Sequence, residues 1–249
     1  MIINKPLLKK FSEQAAKIGL PRALRQLLKE VGVPSITQQG DLPQNGPILV
    51  ISNHIGVFDS PLLLSSIHRD DLYYIALSTH ELFGVAMKER LLPIYKTVRL
   101  NYKLYEYPLY RQIIGAFPKH FSREEVQKRN RIAISRGARL INQGHAVAIF
   151  PSGSVGKRLP NGLWKPGVGY LIKQITNPDT KIVFVRITGT KQRDFAAYLH
   201  PFLRKIFFRP QPLSITFSKP YVLRSFIDRN GDAKMITKKI EQYYQQLWK

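Results

Sequence analysis

The chain has 249 residues, enough for one substantial core, and its hydrophobic (44%) and aromatic (11%) contents are those of a globular fold. Its 39 Lys and Arg against 16 Asp and Glu give a formal net charge of +23, which calls for an anionic partner such as nucleic acid, an anionic membrane surface, an acidic protein or a phosphorylated substrate. The absence of cysteine excludes a disulfide framework, a thiolate metal site and a cysteine nucleophile, and the 6 histidines form no His-x-x-x-His or His-Glu-x-x-His pattern that would support a zinc hydrolase.

Residues 5–31 are predicted to form two short helices. Leu7, Leu8, Phe11, Ala15 and Ile18 fall on one helical stripe, and Pro21 restarts the pattern with Leu24, Leu27, Leu28 and Val31. Lys5, Lys9, Lys10, Lys17, Arg22, Arg25 and Lys29 surround the stripes, with Glu13 and Glu30 opposing them. A basic amphipathic pair of this kind suits the plane of a membrane interface, and equally a surface pair packed on a core. Residues 1–34 are read as membrane-associating helices ahead of a single domain over 35–249. No run of about 18 apolar residues predicts a spanning helix, and Lys5, Lys9 and Lys10 interrupt any signal-peptide core. The expected location is therefore cytoplasmic, peripheral at the cytoplasmic face of the membrane.

Gln38 to Gly46 reads as a polar loop. Pro47-Ile48-Leu49-Val50-Ile51-Ser52 is a short β-branched run, predicted as a buried strand that ends just before His54. Ser60-Pro61 starts a helix with Leu62, Leu63 and Leu64 as its apolar surface, and Leu72 to Leu77 is a second strand. From Lys88 to Arg111 the chain is basic, aromatic and weakly periodic. Ser122-Arg123-Glu124-Glu125 has capping-box form and opens a helix to about Asn142, which Gly144 stops. Ala146 to Phe150 is a strand with Pro151-Ser152-Gly153-Ser154 as its exit turn; Lys181 to Thr188 and Leu213 to Phe217 are later strands. Asp232 caps a last helix carrying Met235, Ile236, Ile240, Tyr243 and Leu247. Helices alternating with short apolar strands predict a single-domain α/β fold with a mostly parallel central sheet flanked by helices.

In such sheets ligands gather beyond the carboxyl ends of the strands. His54 and Asp59 stand at one such end, an imidazole with a carboxylate that can orient it, which is the minimum equipment for taking a proton from an alcohol near neutral pH. Gly153 stands at another, where a glycine turn lets backbone N–H groups approach a ligand closely. Lys157 and Arg158 follow that turn, then Trp164-Lys165-Pro166-Gly167. His68 and His80 have no companion carboxylate pattern and are expected at the surface or at helix ends. Asp70-Asp71 is expected to be a turn or helix end, and no metal site is assigned. Phe202, Leu203, Ile206, Phe207 and Phe208 interleave with Arg204, Lys205 and Arg209, a pattern that fits an interfacial lipid contact, a buried edge of the core or nucleic-acid stacking.

Asn53-His54 with Asp59, then Phe150-Pro151-x-Gly153, then Lys165-x-Gly167 occur in the order and approximate spacing of the PlsC-like glycerolipid acyltransferases, and residues 47–190 resemble that family. The resemblance implies an acyltransferase domain over 35–249 that moves an acyl group from a thioester on coenzyme A or acyl carrier protein to a hydroxyl of glycerol-3-phosphate or a lysophospholipid. It implies His54 as general base and Asp59 as the group that fixes its tautomer, with no bound cofactor. Lys119-His120 resembles a pair associated with substrate phosphate in the plastid-type enzymes, and with Arg123, Ser152, Gly153, Lys157 and Arg158 it makes up the expected substrate-binding set. The chain departs from the lysophosphatidate-type pattern at Ser152, Val155 and Phe121, where glutamate and two arginines would fall. The competing reading is a noncatalytic basic protein that binds anionic membrane or nucleic acid, although no nucleic-acid motif is recognisable.

Overall fold

The computed structural model describes residues 4–96, 121–153 and 164–249. Helices α1 (Lys5–Ile18) and α2 (Leu20–Glu30) precede strand β1 (Ile36–Gln39), strand β2 (Ile48–Ser52) and helix α3 (Asp59–Ser66). Strand β3 (Leu72–Leu77), a 3-10 helix (Ser78–Phe83), α4 (Val85–Arg90) and β4 (Leu91–Ile94) follow. The long α5 (Arg123–Asn142) leads to β5 (Ala146–Ile149), α6 (Gly167–Gln174) and β6 (Lys181–Thr188). A second 3-10 helix (Gln192–Tyr198), α7 (Pro201–Phe207), β7 (Leu213–Phe217), β8 (Tyr221–Val222), α8 (Leu223–Phe226) and α9 (Ala233–Leu247) complete the order.

Among the described residues the strands form one sheet in the order β1-β7-β6-β2-β5-β3-β4, with β8 also on β6. Among the pairings of the described residues, only β6–β7 and β6–β8 are antiparallel. At the centre β2 lies between β5 and β6, parallel to both, with Val50 opposite Ala148 on one side and Val183 on the other. All three strands therefore release their chains at the same edge. This is the mostly parallel, helix-flanked sheet that the sequence pattern predicts.

Successive residues of a strand point to opposite faces, and the central strands feed two cores in turn. Ile48, Val50, Ala146, Ala148, Val183 and Val185 pack with α1, α2 and α3, while Leu49, Ile51, Val147, Ile149, Ile182 and Phe184 pack with α5, α6 and α9. The N-terminal stripe belongs to the first core: Leu7, Phe11, Ala15, Leu24, Leu27 and Leu28 are all buried. Lys5, Lys9, Lys10, Arg25 and Lys29 remain exposed on the outer side of the pair.

Helix ends follow their side-chain chemistry. Ser122 Oγ accepts the Glu125 N–H at 3.1 Å to start α5, and Asp232 Oδ1 accepts the Met235 N–H at 2.7 Å to start α9. Besides the two-residue β8, two strands depart from the pattern-based reading. Gln38 and Gln39, expected in a loop, continue β1 along β7; this edge strand alternates between half-buried and exposed residues and carries no apolar run. β4 falls inside the basic aromatic stretch, with Pro93 tolerated on a strand whose only described neighbour is β3.

Asp70-Asp71 forms a turn, as expected, while His80 departs from its expectation. Asp71 is held by Arg69 through Nε at 2.8 Å and Nη2 at 2.6 Å, and Arg69 also donates to the carbonyls of Pro43 and Gly46. Burial opposes ionisation of Asp71, but the hydrogen bonds and charge of Arg69 override it and hold the carboxyl below its ordinary value. His80, expected at the surface or a helix end, sits within the first 3-10 helix with its ring against Tyr74 and Phe83, and its Nδ1 is sealed from solvent. Burial, reinforced by the nearby His54, pushes its pKa down to about 4.

Two stability predictions follow from this packing. Gly169 of α6 lies against the start of α9, where its N–H donates to Thr237 Oγ1 at 3.2 Å and an added Cβ would overlap the Ala233 carbonyl. Gly169→Ala is expected to destabilise the protein by about 2–3 kcal/mol in urea unfolding. For His80 the native state resists a proton that the unfolded chain accepts near pH 6.5. Its stabilising contribution is thus complete above that value and is lost as pH falls toward about 4. His80→Phe should reduce the loss of stability between pH 6.5 and 4 by on the order of 2 kcal/mol relative to wild type, measured by urea denaturation across that range.

Candidate active site

The three central strands bring their exits together. β2 runs into Asn53 and His54, β5 into Phe150 and Pro151, and β6 into Gly189 and Thr190. Asn53 extends the ladder beyond the end of β2 with its side chain: the Ile187 N–H donates to Oδ1 at 2.7 Å, and Nδ2 donates to the Ile187 carbonyl at 2.8 Å. This two-point bond fixes the first residue after the strand and so sets where His54 begins.

Asp59 is the first residue of α3, and its side chain is 0% exposed. A buried carboxylate must be fully hydrogen-bonded, and here four donors converge on it. Oδ2 takes His54 Nδ1 at 2.8 Å, the Gly56 N–H at 2.8 Å and the Ile55 N–H. Oδ1 takes the hydroxyl of Thr190. A carboxylate only accepts, so His54 carries its proton on Nδ1 and leaves Nε2 with a free lone pair. The imidazole is 16% exposed and lies 4.8 Å from the Phe150 ring, which reaches it from the exit of β5.

The loop between His54 and Asp59 is compact because it packs against the chain leaving β6. The Val57 N–H donates to the Lys191 carbonyl at 3.2 Å. A Cβ on Gly56 would overlap the Lys191 N and stand 2.5 Å from Thr190 Oγ1, so no larger residue fits here without displacing the Thr190-Lys191 segment. Thr190 was not among the candidates drawn from sequence. The signal for it is the Thr188-Gly189-Thr190 turn, a third strand exit of the same kind as the two singled out. Asp194, buried in the following 3-10 helix, accepts the Lys191 N–H at 2.6 Å; desolvation and the neighbouring Asp59 raise its pKa.

Gly153 adopts a left-handed φ of 62°, as the exit-turn reading requires, and its N–H closes the turn on the Phe150 carbonyl at 3.1 Å. That donor is therefore engaged within the turn. Lys165 braces the same turn: its N–H donates to the Pro151 carbonyl at 2.8 Å, and its side chain passes beside Gly153. Ser152 is buried in the turn. Arg123 opens α5 as an exposed residue, with no described contact to His54. Lys119, His120, Val155, Lys157 and Arg158 lie outside the described residues. Phe121 packs edge-on to Tyr95 at 5.2 Å and under the Arg129 guanidinium at 4.3 Å, while Asn130 bonds both backbone groups of Tyr95. Its aromatic ring is thus used in packing.

Among the described residues no group of three or more His, Asp or Glu side chains could hold a metal ion, and no helix is long and apolar enough to cross a membrane. What the geometry provides is one oriented imidazole with an available nitrogen at the edge of a parallel sheet.

The protein-family model described as Acyltransferase matches residues 34–188. Among solved structures, the crystal structure of the 1-acyl-sn-glycerophosphate (LPA) acyltransferase PlsC from Thermotoga maritima aligns over 97% of this chain and 95% of its own, at 14% identity and a TM-score of 0.49. No curated protein matches the chain. The family match takes in β2 with His54 and Asp59, β5 with its exit turn, and β6, and on that span the chain belongs to the Acyltransferase family.

Proposed function

We propose that this protein is a glycerolipid O-acyltransferase that transfers a fatty acyl group from a coenzyme A or carrier-protein thioester to a hydroxyl of glycerol-3-phosphate or a lysophospholipid, with His54 as general base. The observation that carries this reading is the His54–Asp59 pair at the exit of β2, bonded through Nδ1 so that Nε2 is left to accept a proton. In the reaction the acceptor oxygen attacks the thioester carbonyl carbon while Nε2 takes the hydroxyl proton. Asp59 stabilises the resulting imidazolium without moving, because its remaining donors are backbone N–H groups and Thr190. Collapse of the tetrahedral oxyanion breaks the C–S bond, and the departing thiolate recovers the proton from His54. No acyl-enzyme is needed, in keeping with a chain that contains no cysteine.

The acceptor's phosphate is assigned to the cationic residues Lys119, His120, Lys157 and Arg158, with Arg123 as an outlying member. Lys, protonated His and Arg groups make charge-assisted hydrogen bonds to phosphate oxygens. Ser152 in place of glutamate, and the Lys119-His120 pair, favour glycerol-3-phosphate as the acceptor.

Transfer of a labelled acyl group, measured over a panel of glycerol-3-phosphate, lysophosphatidate and headgroup-bearing lysolipids with both donor types, tests the reaction. His54→Ala is expected to lower kcat by about a hundredfold or more with every accepted substrate, and undiminished turnover would overturn the mechanism. Thr190→Val removes one hydrogen bond to the Asp59 carboxylate and leaves His54 in place. Its kcat is expected to fall roughly tenfold to a hundredfold with little change in KM, the pattern of a positioning residue.

A further inference from the structure

Apart from Ile18, 41% exposed at the end of α1, the apolar stripe of α1 and α2 is turned to the core, yet a different element carries several large apolar side chains into solvent. In α7 Phe202 is 67% exposed, Ile206 46% and Phe207 59%. Leu203 turns partly inward onto the first core, and Phe208, just beyond the helix, is buried. The run that reads in sequence as one basic-aromatic cluster is therefore divided: Leu203 and Phe208 anchor it, and the other three project. Arg204 and Lys205 lie within the helix and Arg209 follows it.

This helix adjoins the basic flank of α2. The Arg204 guanidinium reaches the Glu30 carbonyl at 3.5 Å, and Pro210 lies against Gly32. Beside this junction a groove of about 800 Å³ is lined by Arg22, Arg25, Lys29 and Glu30. The Glu30 carboxylate pairs with Lys10 at 2.8 Å, so it does not neutralise the groove. Among the described residues Arg22, Arg25, Lys29, Arg204 and Lys205 form no ion pair with an acidic side chain.

From this juxtaposition we infer that α7 and the adjoining face of α2 form a seat for an anionic bilayer, in which Phe202, Ile206 and Phe207 enter the acyl-chain boundary while Arg22, Arg25 and Lys29 meet the headgroup phosphates. Projecting aromatic and aliphatic side chains beside unpaired cations match the two components of such a surface, apolar below and anionic above. An acidic protein would use the charge but leave the three apolar side chains without a counterpart. The seat is also close to the chemistry. Phe208 and Tyr198 both stack edge-on against Phe58, at 5.8 and 6.0 Å, and Phe58 immediately precedes Asp59.

Flotation of the full chain with vesicles tests this assignment, using phosphatidylglycerol mixed with phosphatidylethanolamine in one arm and phosphatidylcholine alone in the other. Wild type is expected to float with the anionic vesicles and not with the neutral ones. The F202S/I206S/F207S variant, altered only at exposed positions, should lose at least tenfold in partition while keeping its thermal unfolding midpoint. The R22Q/R25Q/K29Q variant should lose binding most at low salt. Phe207→Trp should add an emission component that brominated acyl chains quench. Unchanged flotation of the serine variant, or no added quenching at position 207, would overturn the assignment; capture by an acidic carrier protein with equal affinity for wild type and the serine variant, without flotation, would replace it with a protein-docking face. None of these readouts requires turnover, so they stand apart from the success or failure of the acyl-transfer assay.

Discussion

The Asp59 carboxylate is the point on which the site depends. A negative group with no solvent exposure must be met by donors on every side, and this one draws them from the His54 ring, from the backbone N–H groups of Ile55 and Gly56, and from a threonine in the turn after a strand far along the chain. Its demands fix the conformation between His54 and Asp59, make Gly56 necessary, bring the turn after β6 against the loop after β2, and select the tautomer of the imidazole. The parallel register of β6, β2 and β5 makes this possible, because only adjacent strands running the same way deliver their ends to one place. The geometry of the site is thus set at the sheet's centre, where the strand exits meet the first residue of α3.

Much of this was legible in the chain. The strands at 72–77, 181–188 and 213–217 stand where apolar β-branched runs place them, and the caps at Ser122 and Asp232 work through the side chains that mark them. The His54–Asp59 pair could be found because both residues are near in sequence and follow a strand that is buried throughout and apolar up to Ser52. Thr190 is marked in sequence only as part of a third strand-exit turn, which does not say that it meets Asp59. A threonine is informative only once one knows which strand lies beside β2, and strand order is a long-range property that local pattern does not encode. The family match itself ends at Thr188, two residues short of it. β1 was missed for a related reason, since an edge strand has one neighbour and needs no continuous apolar run, whereas β4 is apolar throughout but short, carries Pro93 and lies within a basic aromatic stretch.

The large positive charge also looks different once it is distributed in space. On α1 and α2 the apolar residues serve the core and the cations are left on the outside, so the amphipathicity that suggests an interface in sequence is first a packing requirement. On α7 the opposite holds, with large apolar groups outside among the cations. Periodicity alone cannot distinguish these cases, because it reports that two faces differ and says nothing of which face the protein has already covered.

The bonds from Asn53 to Ile187 and from Thr190 to Asp59 join residues 134 and 131 positions apart. A chain emerging from the ribosome therefore carries its histidine and aspartate long before it carries the strand that aligns them. Closing so large a loop costs conformational entropy that only the finished sheet offsets. Through most of its synthesis the polypeptide holds His54 and Asp59 without the Ile187 and Thr190 partners that fix their geometry, and these bonds can form only once β6 lies beside β2.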